Sequence, residues 1–234
     1  MNNFSSSISK TINNALYKTF AWMGAGLTVT GIVAYILSMT SFMSYLFDGT
    51  LYGWLFKFVI FGAQMALIFT IINMNNIIKY SYATLATLFM LFSATSGMTL
   101  SYIFVIYELQ SIVGIFFIAA GMFLGCAMYG FLTKTDLSPM HTFVMMSLIG
   151  ILIFSLINLF VGSLFFSKAM SVLSIGIFSL ITAMDIQNLK NIYAGYAYDT
   201  ELQRKLSILG ALIMYQNFIN IFIHLLNLLG KKKK

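Results

Sequence analysis

The residues most able to do chemistry lie at one point of the chain, Ile181–Lys190, which reads ITAMDIQNLK. From Val172 to Met184 nothing is charged, and then Asp185 arrives, followed by Gln187, Asn188 and Lys190. A carboxylate at the edge of a lipid-length apolar run is costly to hold in hydrocarbon, so it is expected to face protein, water or an ion. A second polar set lies near the C-terminus. Asn217, Asn220, His224 and Asn227 are spaced three, four and three apart, with only apolar residues between them. On a helix this spacing puts all four on one face. Unsatisfied polar groups in lipid cost several kcal/mol. The stripe is therefore expected to face other helices or a wet cavity, and interhelical hydrogen bonding is its ordinary structural use.

The elements that must position these residues are read from composition. Of 234 residues, 60% are hydrophobic and 8% charged, with one proline. A soluble domain carries about 25% charged residues, so the chain is expected to be an integral membrane protein in contact with the lipid bilayer. Apolar windows of membrane-spanning length recur near Phe20–Met39, Trp54–Ile72, Tyr82–Ile106, Ile112–Leu132, Thr142–Phe166, Ala169–Met184 and Leu206–Leu229. The expected fold is an all-α membrane protein, a seven-transmembrane-helix bundle. Its organisation is read as a polar N-terminal lead-in over 1–19, partly flexible, a single transmembrane domain over 20–230, and a polybasic tail over 231–234. The polar connection Asp185–Lys205 is expected to be the longest. Small residues at every fourth position (Gly62 and Ala66; Ser93, Gly97 and Ser101; Gly121 and Gly125) suggest close helix contacts.

The net charge of +7 does not indicate a nucleic-acid partner. Four of the cations form the tail Lys231–Lys234, expected to be solvated near anionic lipid, and the rest flank apolar runs. With the N-terminus cytoplasmic, the inner segments hold Lys10, Lys18, Lys79, Lys134, Lys190, Arg204 and Lys205, against Lys57 and Lys168 outside. That asymmetry favours the N-terminus inside. A seventh crossing would carry the tail outside, so the last segment either crosses or dips and returns. Lone Cys126 offers neither a disulfide nor a metal pair. Among the remaining acids, Asp136 is placed to cap the fifth span. Asp48 and Glu108 fall in short loops, and Asp199 and Glu201 in the polar connection, where they are expected to be solvated. No hydrolase motif is present, so no enzyme activity and no cofactor are expected.

Four stretches, FSATSGMTLSYIFVIY (Phe92–Tyr107), YGFLTKTDLSPMHTF (Tyr129–Phe143), MDIQNLKNIY (Met184–Tyr193) and LGALIMYQNFINIFIHLLNLLG (Leu209–Gly230), together resemble the Bax inhibitor-1 family, in particular its bacterial branch. The resemblance runs from about Tyr17 to Gly230. It implies seven helices with the C-terminal one central, and a pH-sensitive calcium leak, with Ca2+ as the transported ion. It also implies two aspartates that share a proton and a basic latch residue. The first aspartate matches Asp185, which would be a weak Ca2+ ligand; the second position is Asn217, and the latch position falls on Lys79. With no second carboxylate there is no shared proton, so the expected pH sensing is altered. The alternative function is a non-conducting regulator that binds another membrane protein, such as a membrane-anchored protease. An ion-coupled transporter is less well supported, since no internal repeat is evident. The expected location is the bacterial inner membrane, with the endoplasmic reticulum as the alternative.

Overall fold

In the computed structural model, residues 2–42 and 51–233 are described, with side chains from residue 9 onward. Asp48 lies outside them. Among the described residues, seven helices are long and apolar enough to cross a membrane: Ser9–Ser38, Leu51–Ile72, Tyr82–Ile106, Leu109–Leu132, Ser138–Val161, Leu164–Gly195 and Thr200–Leu229. No β-strand occurs among them. The expected all-α, seven-helix membrane fold is what the chain adopts. The last helix is the most buried, with 67% of its apolar window inside, whereas the fifth has 6%. The fifth span is consequently a lipid-facing helix, with Met146, Leu152, Leu159 and Phe160 all exposed.

Several boundaries differ from those read off hydropathy, each for a local reason. The first helix begins at Asn2, so the expected flexible lead-in is helical. The fifth span stops at Val161 because Gly162 takes the left-handed conformation (φ 64°), and its N–H caps Asn158 O at 2.7 Å. Glycine occupies that conformation without a Cβ clash. The largest difference concerns the sixth span, which does not end at Met184 but continues to Gly195. Ile186, Leu189 and Tyr193 extend its buried face, each 2% exposed or less. Gln187, Asn188 and Lys190 lie on the other faces, which is why the stretch reads as a loop. The expected connection 185–205 shrinks to residues 196–199. Asp199 caps the last helix there by accepting from Leu202 N at 2.8 Å, and Glu201 pairs with Lys205 at 3.0 Å. Both acids are exposed, as expected, and each also makes one local contact.

The chain divides into two compact units. One comprises Met1–Tyr107, Ile192–Tyr215 and Lys233. In it the first and third spans approach closely at Gly26 and Gly97; a Cβ on Gly97 would lie 2.8 Å from Thr30 O. Tyr215 is buried there against Phe89 and Phe92 and hydrogen-bonds Thr30 through its hydroxyl at 2.8 Å. Tyr193 does the same to Thr19 at 2.6 Å. Gln203 donates to Tyr193 O at 3.0 Å. Lys233 is not free in solvent, since its ammonium donates to Phe104 O at 2.7 Å.

The other unit comprises Glu108–Asn191, Gln216–Lys232 and Lys234. Phe218 packs against Phe116, Phe123 and Phe222. Lys231 pairs with Glu108 at 3.1 Å, and its N–H donates to Ser111 Oγ. The described tail lysines are exposed, as expected of a solvated tail, and are also tethered by these surface contacts. The last span is one continuous helix ending in that tethered tail, which excludes the dip-and-return reading. The fourth and sixth spans meet at Gly130, where a Cβ would lie 2.2 Å from Ala183 O. By contrast Gly62, Gly121 and Gly125 have nothing within 4 Å. Of the expected small-residue contacts, only the Ser93–Gly97–Ser101 set lies in a close helix approach.

The Gly130 contact gives a direct test. Gly130→Ala must push the backbone of the sixth span away, an overpacking strain of about 1–3 kcal/mol. Thermal unfolding in detergent should show a clear loss of Tm for Gly130→Ala and little change for Gly121→Ala.

Candidate functional site

Asp185 is on the sixth span, ten residues before its last, and half-buried. Its register is set by the opposite face of the same helix. Ala183 sits against Gly130. Gln187 donates to Thr135 O at 2.8 Å and accepts from Leu137 N at 2.8 Å. Lys190 donates to Phe131 O and lies over the Phe131 ring. These three residues clamp the end of the fourth span and the following loop. At about 100° per residue, Asp185 is turned roughly 200° from Gln187, away from the clamp.

It turns toward the last helix. Asn217 is 5% exposed, and its Nδ2 donates to Asp185 Oδ2 at 2.7 Å. Among the described residues Asp185 has no other hydrogen bond and no ion pair. His141 interacts with it electrostatically. His141 also lines a cavity of about 260 Å³ with Leu137, Ser138, Met184 and Asn188. His141 was not singled out from the sequence; its signal was being one of only two histidines, inside the YGFLTKTDLSPMHTF stretch. Asp136 is not the capping residue of the short helix Ser138–Met140, a position held by Leu137. It instead accepts from Ser138 N at 3.0 Å, and that hydrogen bond holds its carboxyl below the usual range.

Two further members of the polar stripe, Asn227 and His224, also meet the sixth span. Asn227 donates to Ser167 Oγ at 3.0 Å and Ser171 Oγ at 2.8 Å. His224 Nδ1 lies 3.5 Å from Ser171 Oγ, and its ring stacks on Phe178 with centroids 6.2 Å apart. Asn220 turns back to its own helix, donating to Gln216 O at 2.9 Å. The partners run backwards along the sixth span as the last helix advances, so the two helices are antiparallel here. Lys79 belongs to the first unit, at the end of the short helix Met74–Lys79. Its side chain is exposed and is in no ion pair among the described residues.

Chemically, Asp185 and Asn217 offer one carboxylate and one carboxamide oxygen in an apolar surround. That set can bind a cation weakly, because tight calcium sites supply six to eight oxygens, usually with more than one carboxylate. No group of three or more His, Cys, Asp or Glu side chains able to hold a metal occurs among the described residues.

Fold and site together define an integral membrane protein of seven helices with a carboxylate–carboxamide pair buried between its last two spans. The chain belongs to the Bax inhibitor-1 family, described as Inhibitor of apoptosis-promoting Bax1, which matches residues 12–234. It is 38% identical over 218 residues to the inner membrane protein YbhL of Escherichia coli K12, covering 92% of this chain and 91% of the relative. A protein of Borreliella burgdorferi is 36% identical over 221 residues, covering 94% and 93%. A membrane protein of Streptococcus pyogenes serotype M1 is 30% identical over 222 residues, again 94% and 93%.

Two variants test the site as built. Asn217→Val removes the donor and strands the Asp185 carboxylate, which should cost about 1.5–3 kcal/mol, the scale of a hydrogen bond to a charged group. Asp185→Asn should cost less, and unfolding in detergent ranks the two. For the clamp, Gln187→Ala should speed tryptic cleavage at Lys134, read as band loss over time.

Proposed function

We propose that the protein is a membrane calcium-leak channel of the Bax inhibitor-1 type, gated where Asn217 holds Asp185. The observation that carries this reading is the 2.7 Å hydrogen bond from the Asn217 carboxamide to the Asp185 carboxylate between the last two spans. A carboxylate kept inside a lipid-length helix marks an ion pathway more often than a packing contact. Weak binding suits a leak, since an ion must leave as readily as it enters. Calcium is the cargo in this reading, and Asp185 its weak ligand.

Asn217 sets the response to pH. Two carboxylates at this distance could not both ionise cheaply and would share a proton. A carboxamide cannot, so the gate depends less on mild acid than a two-aspartate gate. The basic latch position that the family resemblance implies falls on Lys79, whose side chain is exposed. The homologue named as an inner membrane protein supports a bacterial inner membrane, and the loop cations support a cytoplasmic N-terminus.

Calcium entry into proteoliposomes, followed with an enclosed dye from about pH 6 to about pH 8, tests this. Wild type should leak with shallow pH dependence, and Asn217→Asp should make the dependence steep, because like charges raise one carboxyl into that range. Equal, steep dependence in both proteins would overturn the gating scheme. Absence of flux together with a stoichiometric membrane-protein partner would favour a non-conducting regulator.

A further inference from the structure

Beyond Asp185, the face of the sixth span turned to the last helix carries Phe178, Ser174, Ser171 and Ser167. From Asp185 to Ser167 is eighteen residues, or about 27 Å of helix, close to the thickness of a bilayer core. Polar atoms are not evenly distributed along it. At one end is the Asp185–Asn217 pair. At the other, Ser167 and Ser171 accept from Asn227, and His224 lies at Ser171. Between the two clusters the Phe178 ring stacks on that of His224, 21° from parallel.

Ser174 belongs to the second cluster, one turn from both Ser171 and Phe178. It is 0% exposed, and its Oγ has no hydrogen-bond partner among the described residues. Two other serines on this helix satisfy their hydroxyls locally, Ser171 donating to Ser167 O and Ser179 to Ile175 O, and Ser167 Oγ accepts from Asn227. A buried hydroxyl without a partner costs about 1–3 kcal/mol, and buried polar groups of this kind are ordinarily met by a bound water or ion.

We propose that Ser167, Ser171, Ser174 and Asn227 form a hydrated vestibule for a cation on the tail side of Asp185, and that the Phe178 ring, stacked on His224 at the vestibule's edge, is the apolar layer between them. The proposal rests on the reading that Asp185 lies on the cation pathway. Hydroxyl and carboxamide oxygens, without a carboxylate, suit a partly hydrated cation in transit: they replace some of its water and do not trap it. An apolar ring between two wet clusters controls passage by excluding water until it moves. Ser174 is then the vestibule's innermost ligand, facing the layer.

The test uses the full chain in proteoliposomes, with native Cys126 replaced by serine. Ser174→Cys should react with a small cationic methanethiosulfonate about tenfold faster than Val172→Cys, which faces outward from the same helix. Equal rates would overturn the vestibule. Independently, Phe178→Ala should raise calcium leak several-fold, and Phe178→Leu, which keeps more of the packing, should raise it less. Unchanged leak in both Phe178 variants, against a measurable wild-type leak, would overturn the gating layer. If no variant passes calcium, the channel reading fails and with it the gating layer. The thiol rates then still decide whether the vestibule is wet.

Discussion

The hydrogen bond from Asn217 to Asp185 is the interaction on which the site depends. In hydrocarbon an unpaired carboxylate is among the most costly groups a helix can carry, and here it is answered by a carboxamide from the last span. That requirement explains why the polar stripe of the last helix faces the sixth. Both helices outlast their apolar windows for a separate reason, since Gln203 Nε2 donates to Tyr193 O where their ends adjoin. The opposite face of the sixth span is tied down separately, through Gly130, Gln187 and Lys190, so Asp185 is held in register from two sides.

A carboxamide in place of a carboxylate changes the physics of the pair. It donates a hydrogen bond at any pH, whereas a second carboxylate would have to be protonated to do so. The structure therefore has a locked pair that needs no proton to stay together. His141, which lines the neighbouring cavity, is within electrostatic reach of Asp185.

The seam between the sixth and last spans is divided rather than continuous. Its two polar clusters are separated by the Phe178 ring, stacked on His224, and one hydroxyl is left without a partner among the described residues. Packing alone would favour the opposite arrangement, with apolar residues along the contact and every serine bonded to its own helix. Ser171, Ser179 and Thr182 follow that rule. Ser174 does not.

The sequence by itself determined the membrane class, the seven crossings, the placement of one carboxylate, Asp185, at the edge of an apolar run, and the inward orientation of the Asn217–Asn227 stripe. Each follows from hydropathy and helical periodicity, which are local. It misread the sixth span after Met184, because polar residues on one helical face look like a loop when the buried face of Ile186, Leu189 and Tyr193 cannot be seen. It also overcounted helix contacts, since a glycine repeat reads the same whether it meets a backbone, as Gly97 does, or open space, as Gly121 and Gly125 do. Tertiary structure alone decided that Asn217 rather than Asn220 reaches Asp185, that His141 comes within electrostatic reach of Asp185, and that Lys79 is in no ion pair among the described residues. Those outcomes depend on helix register and crossing, which are set by long-range packing and leave no mark on local periodicity.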